Sequence, residues 1–268
     1  MTMQPLSEFS FAAAAAVQGV FADIDDTITS DGLLTAEAYT ALHSLHEAGL
    51  SVVPVTGRPA GWCDHIARMW PVSAVVGENG AFYFHYDRDA RKMSKRFLQD
   101  EVVRRAARKR LRALAEEILE QVPGTALASD QAWRECDLAI DFCEDVAPLD
   151  EAAVDRIVEL FVAAGAHAKV SSIHVNGWFG DYDKLGMTTT LVRERFNLDL
   201  AKARERFVYI GDSPNDSPMF EYFPNAVGVA NVHAFGDRIE SLPRYVTRER
   251  SGAGFCELAR HLLAARAG

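Results

Sequence analysis

The run Val20-Phe21-Ala22-Asp23-Ile24-Asp25 is apolar without alternation and breaks on carboxylates that continue into Asp26-Thr27. A segment this short and uniformly apolar fits a strand buried on both faces of a parallel sheet, its carboxyl end opening into a loop. The pattern then repeats. Residues 35–48 place Ala38, Ala41, Leu42 and Leu45 on one helical stripe, with Gly49 as the stop. Residues 50–55 read as a second strand closed by Thr56-Gly57-Arg58-Pro59. A helix over 60–69 and a third strand over 74–76 follow, the strand running into Gly77-Glu78-Asn79-Gly80. Strand alternating with helix in this way predicts an α/β fold built on a doubly wound, mostly parallel Rossmann-like sheet.

The grammar changes after Tyr83. Residues 81–86 alternate, residues 100–121 form a long basic helix, and a strand over 138–142 precedes a helix over 149–164. Alternating stretches over 166–171 and 172–176 complete what reads as an α+β unit with an antiparallel sheet. From Lys184 the α/β pattern resumes, with helices over 185–196 and 217–223 and strands over 207–210, 226–229 and 245–246. A chain of 268 residues that is 49% hydrophobic has room for such an arrangement. The expected division is a core of residues 1–83 and 178–268 interrupted by a cap over 84–177.

Charge narrows the partners. With 28 basic against 38 acidic side chains the net charge is −10, which argues against nucleic acid and against an anionic membrane. The apolar stretch 11–22 is too short to span a bilayer and has no Lys or Arg before it. Cys63, Cys136, Cys143 and Cys256 form no C-x-x-C pair, which suits free thiols in a reducing, cytoplasmic setting.

The unusual polar groups gather at expected strand ends: Asp23-Ile24-Asp25, Thr56-Gly57-Arg58 and Gly211-Asp212-Ser213-Pro214-Asn215-Asp216. In open α/β sheets that edge is where ligands bind. If those strands are neighbours, Asp23, Asp25, Asp212 and Asp216 converge, and a hard cation such as Mg²⁺ relieves their repulsion. A carboxylate kept ionised in this way can attack phosphorus, and a second can protonate the leaving oxygen. Thr56 and Lys184 supply a hydroxyl and a positive charge for phosphoryl oxygens. Gly57, Arg58 and Asn215 are candidates for binding the phosphate or the substrate. Each feature also has an ordinary reading. An Asp pair closing a strand is also an Asx-turn, Arg58 also a solvated helix leader, and Lys184 also a surface lysine. The arginine-rich run 104–112 is followed at once by Glu116, Glu117 and Glu120, as on a solvated cap helix. His43 and His46 lack partners for a zinc set. Asp141, His174, Asn176 and Trp178 are suspects for facing a substrate.

Taken together, Asp23-x-Asp25-x-Thr27, Thr56, Lys184 and Gly211-Asp212-x-x-x-Asp216 resemble, in order and spacing, the four motifs of the haloacid dehalogenase superfamily. The insertion between the second and third motifs is similar to that of the subclass with an α/β cap of C2 type, which includes mannosyl-3-phosphoglycerate and sucrose-phosphate phosphatases and phosphomannomutases. The resemblance implies Asp23 as nucleophile forming an aspartyl-phosphate and Asp25 as general acid and base. It implies Thr56 and Lys184 on the phosphoryl group. Mg²⁺ would be held by Asp23, the Asp25 main-chain carbonyl and Asp212, with Asp216 orienting that shell. Asp26 departs from the pattern, which usually has Gly there, and is expected to bend outward into solvent. Gly77-Glu78-Asn79-Gly80 resembles the segment entering the cap in the mannosyl-3-phosphoglycerate group. The expectation is a Mg²⁺-dependent phosphomonoester hydrolase acting on a small phosphorylated sugar or related metabolite. A phosphohexomutase and a non-catalytic phosphate- or metal-binding module are the alternatives. A dinucleotide-binding dehydrogenase and a P-loop NTPase are excluded by the lack of G-x-G-x-x-G and G-x-x-x-x-G-K-[ST].

Overall fold

The computed structural model describes residues 3–267. Its main sheet has the strand order Gln4–Pro5, Tyr245–Val246, Ala226–Gly228, Phe207–Gly211, Gly19–Ala22, Ser51–Pro54, with every neighbouring pair parallel. Alternate side chains on each strand go to opposite faces. Val20 and Ala22 join Leu42, Leu45, Leu258 and Leu262 under the helices Ala36–Glu47 and Ser251–Ala267. Phe21 and Tyr209 join Met187, Leu191, Met219 and Phe220 under Lys184–Phe196 and Ser217–Tyr222. Both faces are therefore apolar, as the uninterrupted hydrophobic runs require.

The structure differs from expectation at the third strand. Val75–Gly77 touches the main sheet through a single parallel bridge, Val55 to Val76. Its ladder partner is the antiparallel strand Phe82–Asp87, which pairs in turn with Lys92–Phe97. The cause is the turn between them: Glu78, Asn79 and Gly80 take φ of +44°, +54° and +107°, reversing the chain within three residues. Phe82 and Phe84 bury in the core beneath the main sheet, and Phe97 packs against them. The hairpin thus packs with the core although its sequence alternates like the cap's, and we propose that the inserted unit begins near residue 99 rather than 84.

That unit has an antiparallel sheet in the order Ala126–Leu127, Asp137–Asp141, His174–Trp178, His167–Val170. The helices Glu101–Gln121 and Glu151–Ala163 cover one face, burying Leu138, Ile140 and Val175 with Ile118, Ile157 and Phe161. The two-residue period of the strands then turns Asp137, Asp141, His174 and Asn176 to the other face. On the basic helix, Arg104 and Arg108 pair with Glu101, and Arg108 also with Glu135. Among the described residues no helix is long and apolar enough to cross a membrane.

Candidate active site

Adjacent parallel strands deliver three of the polar strand ends to one edge. Asp23 follows Gly19–Ala22, Thr56 follows Ser51–Pro54, and Asp212 follows Phe207–Gly211. Lys184 opens the helix Lys184–Phe196, whose N-cap Asp183 accepts from the Gly186 N–H at 2.7 Å. From there the Lys184 Nζ donates to Asp23 Oδ1 at 2.9 Å, Asp216 Oδ1 at 2.7 Å and Asn215 Oδ1 at 3.4 Å. Asp216 is fixed from all sides, since its Oδ2 accepts from the Asp212 and Ser213 N–H groups and its Oδ1 from the Tyr209 hydroxyl. Asn215 Oδ1 also accepts from the Ser213 hydroxyl at 3.0 Å.

Asp212 is the exception. Both of its carboxylate oxygens are buried, and neither has a hydrogen-bond partner among the described residues. Buried carboxylates without partners are costly, and one ligand resolves the cost. Asp23, Asp212 and Asp216 each present an oxygen, all within 4.8 Å of one another. An all-oxygen, all-carboxylate donor set fits a hard divalent cation such as Mg²⁺. Electrostatics agree. Burial, with Asp216 and Asp25 adding, pushes Asp23 up to about 7 against the pull of Lys184. Burial and the charges of Asp216 and Asp23 push Asp212 well above the carboxylate range. Lys184 is held above its ordinary value because Asp216 and Asp23 outweigh its burial.

These shifts make a prediction. A carboxyl group whose folded pKa is raised stabilises the fold at low pH, and that contribution is lost as pH rises from the unfolded value toward the folded one. For Asp23 the window runs from 3.8 to about 7. A divalent cation substitutes for the lost protons, so adding Mg²⁺ should raise the melting temperature at pH 8 by about 5–10 °C at saturating concentration and much less at pH 5. Equal shifts at both pH values, or none, would count against the cluster as a metal site.

The other candidates have different surroundings. Asp25 is turned from the cluster and accepts from Arg58 Nε at 2.8 and 3.1 Å, so only its main-chain carbonyl is left for the metal role that the resemblance implies. Thr56 is fully buried, its hydroxyl accepting from the Arg58 N–H at 3.0 Å. Arg58 reaches upward as well, to Glu144 at 2.6 Å and Asp130 at 3.4 Å on the cap. Gly57 lies under the cap, its carbonyl accepting from Arg134 Nη1 at 2.8 Å. Asp26 corrects an expectation: it is half-buried at φ +54°, a left-handed conformation suited to the family's Gly, and it lines a cavity instead of bending into solvent. That cavity, about 310 Å³, lies between Asp25, Asp26 and Asp31 below and Cys143, Glu144 and Ser172 above. Deeper in, Asp23, Asp25 and Asn215 face Arg134, His174 and Asn176 across a small gap.

Of the cap suspects, His174 sits 2.9 Å from Glu144, and Asn176 donates to Asp137 at 3.1 Å. Asp141 shapes a turn, accepting from the N–H groups of Cys143, Glu144 and Asp145. Trp178 is packing, stacked on Tyr182. Sequence reasoning missed Arg134, Asp130, Asp137 and Glu144. Burial raises the Glu144 pKa, but hydrogen bonds from His174 and Arg58 outweigh it and hold the group at about 2. Burial first and Asp137 second push Glu78 upward, against Arg134 and the N–H groups of Glu135 and Ala60. Of these residues only Asp137 lay in a pattern that pointed to it, the polar alternation of the strand Asp137–Asp141.

Gly80 secures the lysine. A Cβ there would stand 1.9 Å from the Asp183 carbonyl oxygen and 2.9 Å from the Lys184 nitrogen, at a φ of +107°. Gly80→Ala is therefore expected to cost at least about 2 kcal/mol and to lower activity with it. A melting curve unchanged from the parent would contradict the close approach.

A parallel sheet carries acidic groups and a buried lysine at its carboxyl edge, roofed by an α+β insertion, the position where ligands bind in open α/β sheets. The sequence model of haloacid dehalogenase-like hydrolases matches residues 20–120 of the chain. Over 252 residues the chain is 27% identical to a phosphoglycolate phosphatase of Methanothrix thermoacetophila, spanning 93% of this chain and 98% of that one. Its fold matches the Synechocystis sucrose-phosphatase, with a TM-score of 0.60, 16% identity and coverage of 92% and 98%. It also matches the C-terminal domain of the C. albicans trehalose-6-phosphate phosphatase, with a TM-score of 0.70, 11% identity and coverage of 100% and 99%.

Proposed function

We propose that this protein is a Mg²⁺-dependent phosphomonoester hydrolase acting on a small phosphorylated sugar or related metabolite through an aspartyl-phosphate. The observation that carries the reading is the meeting of Asp23, Asp212 and Asp216 beneath the cap, with Lys184 bridging Asp23 and Asp216. Asp23 is the nucleophile: its Oδ1 is held by Lys184, and it lies in the gap that faces the cap. Lys184 neutralises charge on the phosphoryl oxygens, and Thr56 and the turn at Gly57 hold them. Asp25 protonates the departing alkoxide, then takes a proton from the water that opens the acyl phosphate. Arg58 pairs with Asp25 in the structure and has Glu144 and Asp130 as other partners to turn to while Asp25 carries its proton. Asp23, Asp212 and the Asp25 carbonyl would hold Mg²⁺, with Asp216 orienting them, and the ion would supply charge neutralisation and alignment of the phosphoryl group. The cap shields the reaction from bulk water.

The relatives include phosphatases named for sucrose phosphate and trehalose 6-phosphate, which supports a sugar phosphate, and one named for phosphoglycolate. The four free cysteines support a cytoplasmic location. The test is phosphate release from a panel of sugar phosphates, phosphoglycolate and phosphoglycerates, with and without Mg²⁺. Metal-dependent release from one sugar phosphate well above the others is the expected result. No release from any of them would overturn the reading, and an isomerised hexose phosphate in place of free phosphate would make the protein a mutase.

A further inference from the structure

The turn that reverses the chain after Val75–Gly77 joins three parts of the molecule. Its Glu78 and Asn79 N–H groups donate to the Arg58 and Thr56 carbonyls, each at 3.1 Å, bracing the turn expected to hold phosphate. Its Gly80 packs against the start of the Lys184 helix. The Glu78 side chain, fully buried, crosses to the cap. One oxygen accepts from the N–H of Ala60, at the start of the core helix over 60–69, and of Glu135 on the cap, both at 2.9 Å, and the other from the cap amides of Cys136 at 2.5 Å and Asp137 at 3.2 Å.

Three successive cap amides therefore end on one core carboxylate. Those amides lead directly into the strand Asp137–Asp141. Asp137 in turn holds Arg134 at 3.1 Å and Asn176 at 3.1 Å, and Arg134 reaches back to the Gly57 carbonyl. We propose that Glu78 is a positioning residue for the reaction: it fixes the height of the cap strand and so places Arg134 and Asn176 over the Thr56–Arg58 turn. Every polar contact of its carboxyl group is a donor, so an amide in its place must set its NH₂ against N–H groups. Three successive residues in the left-handed region persist because so many contacts over-determine them.

The inference rests on the phosphatase reading, and its test separates the two. Glu78→Gln would be compared with the parent on the preferred sugar phosphate from the panel and on acetyl phosphate, which offers the cap almost nothing to grip. Hydrogen exchange at the amides of Glu135, Cys136 and Asp137 would be followed in parallel. The expected result is a fall of about 10- to 100-fold in kcat/KM for the sugar phosphate. Acetyl phosphate should change by less than about threefold, and the three amides should exchange faster. An equal loss on both substrates, as from general destabilisation, or unchanged exchange would overturn the proposal. If Glu78→Gln does not fold, Glu78→Asp, which keeps the carboxyl group and shortens the reach, takes its place with the same outcomes. Should the parent release no phosphate from either compound, the phosphatase reading fails, while the exchange measurement still decides whether the clamp exists.

Discussion

Asp23→Asn should leave a folded protein whose phosphate release falls by at least about 10³-fold. The amide has the shape of the carboxylate and can keep the contact with Lys184, but it is no nucleophile. Stability moves the other way: losing a buried charge that Asp216 and Asp25 repel leaves the metal-free variant at least as stable as the parent. The response of the melting temperature to Mg²⁺ should shrink in the same variant. A residual rate above a few percent (on the order of the scatter between preparations) would remove Asp23 from the nucleophile role.

Lys184→Met has the largest expected effect on stability. The lysine is buried and bridges Asp23 and Asp216, themselves buried. Removing one partner of such a group leaves uncompensated charge and typically costs about 3–5 kcal/mol. For a chain of this size that lowers the melting temperature by roughly 6–20 °C. Mg²⁺ should restore part of the loss, because the cation takes over some of the neutralisation. Turnover falls as well, since the phosphoryl oxygens lose a fixed positive charge. A variant melting within about 2 °C of the parent would mean that the carboxylates are neutralised by something else.

The parts legible in the sequence are those that a strand end places locally. Asp23 and Asp212 each terminate a strand of the main sheet, and parallel neighbours bring their ends to one edge whatever the rest of the chain does. Lys184 was readable because it opens a helix at the return from the insertion. Arg134, Asp137 and Glu144 were not, because their placement depends on docking between segments 58 to 86 residues apart in the chain. Alternation on the cap strands indicated a polar face without indicating what it would meet. The hairpin Phe82–Phe97 shows the same limit: the two-residue period identifies strands, while the left-handed turn before them decides which sheet they join. The C-terminal helix Ser251–Ala267 escaped notice because small residues such as Gly252, Gly254 and Ala259 carry much of its buried face, without a marked stripe.

Arg58 is one cation claimed by Asp25 below and by Glu144 and Asp130 above. An arriving phosphate dianion is a further claimant, and a stronger one than any single carboxylate. On the proposed function, a phosphate that drew the guanidinium toward it would weaken the Arg58 contacts to Asp25 and to the cap together. One side chain would then tie occupancy of the pocket to the freedom of Asp25 and to the seating of the cap.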